Sequence, residues 1–431
     1  MRGSRMGAFE ASRKVLEKEV RPHSGSVVDS IVIEGNTHTR PRTILREMAT
    51  KEGDRLDEQV IYRDHSYLRG LGYFSDVDIA VEETAPGRVI VRVKVIDRPD
   101  LFMKYPYPVV NYDFDRGVSY GFRWKVKNFQ GTGQELFAGF EKRRDREHGS
   151  SVSWNFPWIG DYRLRLNVHG FEWRRLDEPV RDDFIKERYG GGFSFGLPLT
   201  RNLIRQVWIS PAISLESRES RLCPGSVPNT GGDYYRQTYL STGLTLTYDS
   251  RDNLISPFSG TFAGASMRRF TSVDGLEQQY SFMSLGAHFY LPVGSLGSLI
   301  IAADAHNRDG DVPFFYRIGI GGDSDLRGFD GEGMRGTSRV IGTLQLRRRI
   351  FGPNLYDIPW VGKFDLSVNA VAFVDNGALM DSFDEFADSR ILTTSGFGLE
   401  FMSPIHDMMR MELAFSEGGS PVLYIATGNR F

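Results

Sequence analysis

Cysteine is almost absent. The single Cys223 excludes an internal disulfide framework and any cysteine-rich metal site. Long apolar runs are missing as well: mean hydropathy is −0.33, and nothing approaches the roughly 18 consecutive apolar residues that a spanning helix requires. A helical membrane protein is thereby excluded, but a β-barrel is not, because alternating lumen-facing and lipid-facing residues average to a soluble-looking hydropathy. Charge of one sign is not in excess, with 53 Lys and Arg against 55 Asp and Glu, so no global field points to nucleic acid. No apolar signal region follows Met1-Arg2-Gly3-Ser4-Arg5. A trimmed or re-engineered start is therefore expected, or else an organellar protein imported without a cleavable signal.

Motifs of covalent chemistry are also lacking. There is no His-Glu-x-x-His zinc helix, and no Gly-x-Ser-x-Gly nucleophile elbow is expected. His169, His288, His306 and His406 are scattered without metal-ligand spacing, and Gly319, Gly321 and Gly322 lack the strand-to-helix setting of a dinucleotide site. The acidic group Asp381, Asp384, Glu385 and Asp388 reads as a solvated loop, with weak Ca²⁺ binding the alternative. No enzymatic activity, cofactor or metal is expected.

What is present begins with a small α+β pattern. Residues 1–26 are charged and unpatterned and read as a tail. Val28, Ile31 and Ile33 predict a strand ending at Glu34-Gly35-Asn36. Thr39 is the expected N-cap of a helix that opens at Pro41 and stops near Gly53. Asp57 is the expected cap of a second helix, with Ile61, Leu68 and Leu71 at helical spacing and Gly70 and Gly72 at its end. Two strands follow, Phe74–Glu82 and Arg88–Ile96, giving a βααββ domain over 27–98.

From residue 101 to 431 the period is two. Val118, Tyr120, Phe122, Trp124 and Val126 alternate with Ser119, Gly121, Arg123, Lys125 and Lys127. Leu164, Leu166 and Val168 alternate with arginines and His169, and Met411, Leu413 and Phe415 with Arg410, Glu412 and Ala414. So many arginines must see water, while the opposite face is too aromatic for a sandwich core. About sixteen such segments predict a transmembrane antiparallel β-barrel. Its short turns are expected at Asn128–Gly133, Phe156–Asp161, Pro198–Asn202, Pro292–Gly297 and Ser403–Asp407. Long loops are expected at Glu172–Arg188, Glu216–Arg236, His306–Ser338 and Asp375–Arg390.

Four phrases narrow the family: Asn128-Phe129-Gln130-Gly131-Thr132-Gly133, Trp154-Asn155-Phe156-Pro157-Trp158, the loop run Gly321 to Phe329, and Phe373-Val374-Asp375-Asn376-Gly377. With Leu71-Gly72-Tyr73-Phe74 closing the second helix, the small domain resembles a polypeptide-transport-associated (POTRA) domain. The whole resembles the superfamily of the bacterial barrel-assembly factor (BamA type). Its relatives include a translocation-and-assembly factor, two-partner secretion transporters and organellar sorting proteins.

The resemblance implies that the long loop, 306–338, folds into the barrel and that Arg327, followed by Gly328 and Phe329, meets acids on the inner wall. Asp375 would be one of them. Gln345 stands where a wall glutamate is expected, which would leave the anchor one negative partner short. The resemblance also implies a weak seam between first and last strands. There Tyr105-Pro106-Tyr107-Pro108 would shorten the ladder, since proline donates no hydrogen bond. Gly428 would add a kink before the terminal Phe431. The expected partners are unfolded outer-membrane protein clients, the lipid bilayer, and accessory periplasmic lipoproteins reached through the POTRA-like domain, whose third strand and first helix would capture a client strand. The expected location is the bacterial outer membrane with both termini in the periplasm, or an organellar outer membrane. A secretion transporter is the alternative to an assembly factor.

Overall fold

The computed structural model describes residues 20–98, 106–113, 117–143, 147–160, 162–177, 184–200, 203–222, 234–275, 278–294, 297–313, 316–323, 325–329, 334–358, 362–403, 407–428 and 430. Tyr105, His406 and Phe431 lie outside these.

The small domain is a three-stranded sheet covered by two helices. Strand β1 (Val27–Glu34) runs parallel to β3 (Arg88–Asp97), which pairs antiparallel with β2 (Phe74–Ala85). Alternation decides which face is covered. Val89, Val91, Val93 and Val95 of β3 are all buried, in one core with Ile44 of α1 (Pro41–Glu47), Met48 just after it, and Ile61 and Leu68 of α2 (Glu58–Gly70). At roughly 1.5–3 kcal/mol for each buried aliphatic side chain, this valine row supplies a large part of the domain's core.

Several boundaries differ from the sequence expectation. The domain begins before Val27, because Val20 is fully buried in its core and Gly25 and Ser26 exchange backbone hydrogen bonds with Leu56. Helix α1 ends at Glu47, well short of Gly53, and Arg40 rather than Thr39 holds the N-cap position. Thr39 is drawn instead to Asp97, its hydroxyl bonding the carboxylate. Asp57 does cap α2, accepting from Gln59 N at 2.8 Å. The third strand is central, so the sheet's free edges belong to β1 and β2.

Sixteen strands follow, β4 to β19, from Tyr107 to Thr427, in an all-antiparallel circular order. Side chains such as Val118, Tyr120 and Phe122 of β5 (Gly117–Phe129) stand exposed on the outside, as do Leu244 and Leu246 of β11 (Tyr234–Asp249). This apolar belt identifies the outside as the lipid face, since a monomer in water rarely exposes a continuous apolar surface of that extent.

Strands run into the expected long loops. At the first, β8 (Arg165–Asp177) and β9 (Phe184–Pro198) continue their ladder past Glu172 and Arg188 to Asp177–Phe184. Likewise β10 (Gln206–Leu222) pairs with β11 from Gln206–Asp249 to Arg221–Tyr234. Ladder pairing satisfies backbone groups in water as well as in lipid, so nothing obliges a hairpin to stop at the bilayer. The connection between β14 (Ser298–Gly310) and β15 (Ser338–Ile358) remains long.

The domain packs against one mouth of the barrel through the turn after β5. Thr43 Oγ1 and Arg40 N donate to Gly131 O at 2.7 and 3.0 Å, and Tyr73 OH donates to Gly133 O at 3.0 Å. Asn128 Nδ2 donates to Thr39 Oγ1 at 2.6 Å, and Trp158 Nε1 to Glu47 Oε1 at 2.7 Å. Gly131 has φ +69°, and a Cβ there would sit 2.2 Å from His38 O. Only glycine fits.

Candidate functional site

Strands β16 (Gly362–Met380), β17 (Leu392–Ser403) and β18 (Asp407–Ser416) project alternate residues into the lumen. Asn369, Val371, Phe373 and Asp375 of β16 are buried, while Val374 between them is exposed to lipid. The loop between β14 and β15 descends onto this wall. Arg327, with no exposed surface, makes a two-pronged contact with Asp375: Nε to Oδ2 at 2.8 Å and Nη2 to Oδ1 at 2.9 Å. Planar guanidinium–carboxylate pairing of this kind adds orientation to charge.

The third prong settles the question raised at Gln345. Arg327 Nη1 donates to Gln345 Oε1 at 3.1 Å, and also to Glu412 Oε1 of β18 at 2.8 Å. The anchor is therefore not short of a negative partner, because a carboxylate three strands further on replaces the one absent from β15. Glu412 had a sequence signal in its alternation with Met411 and Leu413, but periodicity gives a facing, not a partner.

The cluster extends beyond these groups. Arg430 Nη1 reaches Asp375 Oδ2 at 3.0 Å, and Thr343 Oγ1 donates to Asp375 Oδ1 at 2.8 Å. Arg410 reaches Glu412 at 2.8 Å and Asp323 of the loop at 3.3 Å. Three guanidinium groups (Arg327, Arg410, Arg430) thus face three carboxylates (Asp375, Glu412, Asp323), so the cluster is neutral as a whole. The Arg327 guanidinium carbon also lies 3.2 Å from the centre of the Phe373 ring. Gly328 takes φ +78°, donates from N to Tyr424 OH at 3.0 Å, and leaves no room for a side chain against Ala414. Phe329 packs on Leu326, Ile320 and Ile341.

The ends of the sheet meet differently. Among the described residues, β4 (Tyr107–Asp113) and β19 (Val422–Thr427) pair at one position, Ile425 with Tyr112. By contrast β18 and β19 pair from Met409–Thr427 to Ala414–Val422. Pro106 lies outside the strand, while Tyr107 and Pro108 pair with Arg123 and Phe122 of β5, on the side away from β19. Gly428, with φ +103°, turns the chain out of β19; its N donates to Met408 O at 2.8 Å and its O accepts from Arg410 Nε at 3.1 Å. Beyond that turn Arg430 reaches the anchor.

One sequence expectation needs correcting. The letters Gly-x-Ser-x-Gly do occur, at Gly192-Phe193-Ser194-Phe195-Gly196. They lie within regular β9, where Ser194 pairs with Asn167 and Ala212, not at a strand-to-helix turn. A nucleophile elbow needs that turn to expose the hydroxyl. Among the described residues no cluster of His, Cys, Asp or Glu has metal-site geometry.

Comparison with known proteins gives consistent likenesses. The family model of the Omp85 superfamily domain matches residues 128–431, and a POTRA model described as surface antigen variable number repeat matches residues 26–96. The chain is similar, at 23% identity over 412 residues, to the outer membrane protein assembly factor BamA of Nitratidesulfovibrio vulgaris. The alignment covers 90% of the chain and 48% of that relative, so the chain spans about half the relative's length. Among solved structures, BamA from Haemophilus ducreyi lacking POTRA domains 1–3 has TM-score 0.54 at 17% identity, covering 94% of the chain and 84% of its own. CdiB from Escherichia coli has TM-score 0.62 at 15% identity, with 94% and 77% covered.

Proposed function

Because this chain belongs to the Omp85 superfamily, we propose that it is an assembly factor that guides unfolded β-barrel clients into an outer membrane without ATP. In this reading the POTRA domain and both termini lie in the periplasm, the domain collects clients, and the free energy comes from client folding. The observation that carries it is the seam. Among the described residues one paired position, Ile425 with Tyr112, joins the first strand to the last. A ladder hydrogen bond contributes on the order of 1 kcal/mol net, so parting such a junction costs little beside parting any other. Unpaired strand edges then template an incoming strand by β-augmentation.

The anchor supports the reading from the other side. By fixing the loop to β16 and β18, it holds the wall next to the seam while the seam itself is free to part. The alternative, a secretion transporter, requires a client to cross the lumen. That path runs against a loop tied by Arg327 to one wall and resting, at Tyr316, on Arg218 of β10.

Liposomes containing the purified protein should speed the folding of an unfolded barrel client. Cysteines at positions 112 and 425, oxidised to a disulfide, should abolish that acceleration, and reduction should restore it. Acceleration that survives the closed disulfide would overturn the seam mechanism. Passage of a soluble client across the membrane without folding would favour secretion.

A further inference from the structure

The lipid-facing side of the wall that holds the anchor carries a groove. It encloses about 390 Å³ and is lined by apolar side chains of β14 to β18, Leu344, Leu346, Ala372, Val374, Phe397 and Phe415 among them. Register explains the hollow. Ala372 of β16 stands between Leu346 of β15 and Phe397 of β17, so a methyl group is flanked by two large side chains. Alternation keeps the groove on the outside, because Ala372 and Val374 are exposed while Phe373 and Asp375 are buried in the lumen.

A cation stands at one end of it. Arg348 follows Leu346 on the same face of β15, one two-residue step of roughly 6.8 Å further on, and it is exposed. Ala370 is its cross-strand partner, and Leu346 and Ile350 flank it along the strand. Among the described residues no carboxylate pairs with it. Its neighbour shows the contrast: Arg347, facing the lumen, lies with Nε 2.7 Å from Glu400 Oε2.

Height in the bilayer then selects the ligand. Arg348 lies at the end of the barrel nearest the small domain. There Arg347 Nη1 donates to Pro257 O at 3.1 Å, in the connection after β11, and a Cβ on Gly70 of α2 would lie 2.9 Å from Leu254 N of that connection. A Cβ on Gly297, just before β14, would lie 3.0 Å from Arg348 Cα, so the cation is level with a turn at the rim of the lipid belt. A lipid-facing cation is costly at mid-bilayer and well tolerated near the interface. From Ala370 to Val374 the strand rises roughly 14 Å, less than half of the about 30 Å hydrocarbon core. Groove and cation therefore belong to one leaflet.

An apolar groove one leaflet deep, with a guanidinium at its interfacial end, has the layout of a phospholipid. One acyl chain fits along β16 and the phosphate meets Arg348, whose planar fork suits two phosphate oxygens. Charge selects an anionic headgroup, because a zwitterionic lipid brings its own ammonium and leaves Arg348 uncompensated.

We propose that this groove is a binding site for an anionic phospholipid held by Arg348. The inference needs only the lipid-facing wall, not the client-handling role. The test places the full chain in nanodiscs of phosphatidylcholine with a minority of phosphatidylglycerol, extracts it into mild detergent, and counts retained lipid by native mass spectrometry. Wild type should retain phosphatidylglycerol in preference to phosphatidylcholine. R348Q should retain about fivefold less of it. A372F, which fills the groove and keeps the cation, should lose it as well, and both variants should keep the wild-type thermal midpoint. Equal retention by R348Q would overturn the proposal, as would equal retention of the two lipids by wild type, which would make the contact annular. Undiminished retention by A372F would remove the groove from the site. Glycerol phosphate, which carries the headgroup charge without acyl chains, should not displace the lipid; displacement would make Arg348 a simple phosphate contact and overturn the lipid site.

Discussion

Two of the places where arginine lines the lumen have opposite consequences. At the anchor, Arg327 and Asp375 are wholly buried and each positive group faces a carboxylate. At the domain mouth, Arg165 remains exposed and rests on the Trp208 indole and the Gln206 amide. The same residue type is structural where it is dry and paired with carboxylates, and exposed where, among the described residues, its contacts are a ring and an amide. Burial decides which, because removing a charge from water is tolerable only when a counter-charge replaces the water.

The sharpest way to break this contrast is at the anchor. Arg327→Ala should cost about 3–5 kcal/mol of barrel stability, because it removes the buried guanidinium that bridges Asp375 and Glu412 and leaves Arg430 and Arg410 to neutralise them. Asp375→Ala should cost nearly as much, and the double variant clearly less than the sum, read from denaturant midpoints in detergent. Simple additivity would mean that the two groups do not act as a unit. Next in size is Glu412→Gln, expected at about 1–3 kcal/mol, since Arg327 keeps Asp375 but Arg410 loses its shortest acidic contact. Smaller again is Arg165→Gln, which should move barrel stability by less than about 1 kcal/mol through its indole contact alone. A loss as large as that of Arg327→Ala would erase the distinction between the two regions.

A last test separates the domain from the barrel. His65, packed under β2 with its Nε2 2.9 Å from Val77 O, has a pKa lowered from 6.5 to about 4, chiefly by burial and then by Arg69. Its neutral form is the folded one, so the unfolded domain takes up the proton first. The stabilisation is complete above pH 6.5 and is lost as pH falls towards about 4. Thermal melts of the domain should therefore decline over that window, and His65→Gln should flatten the decline. A profile unchanged by the substitution would remove His65 as its cause.

Much of the architecture was legible in the residues. Period-two alternation is a direct consequence of strand geometry, so Val118 to Lys127 declares both a strand and its two environments. Asp57 as a cap and the buried valine row of β3 were likewise open to local reasoning. Thr39 was not, because a hydroxyl near a helix start serves whichever acceptor the fold brings nearest, and here that is Asp97, 58 residues along the chain. The length of the outer hairpins also escaped, since water and lipid tolerate a ladder equally well and leave no mark at the boundary.

Among the anchor groups, Arg327 and Asp375 stood in recognisable phrases. Glu412, Arg430 and Tyr424 did not, because each reads as an ordinary strand or terminal residue until the sheet curls round. The sequence by itself determined that this chain must form lipid-facing strands behind a small α+β domain, since side-chain periodicity is set by the backbone within a few residues. Only the tertiary structure decided which charges meet, where the sheet is barely closed, and how the domain seats on the barrel mouth. Those depend on positions up to about a hundred residues apart being brought within a few ångströms, as Arg327 and Glu412 are, and no local pattern encodes that distance.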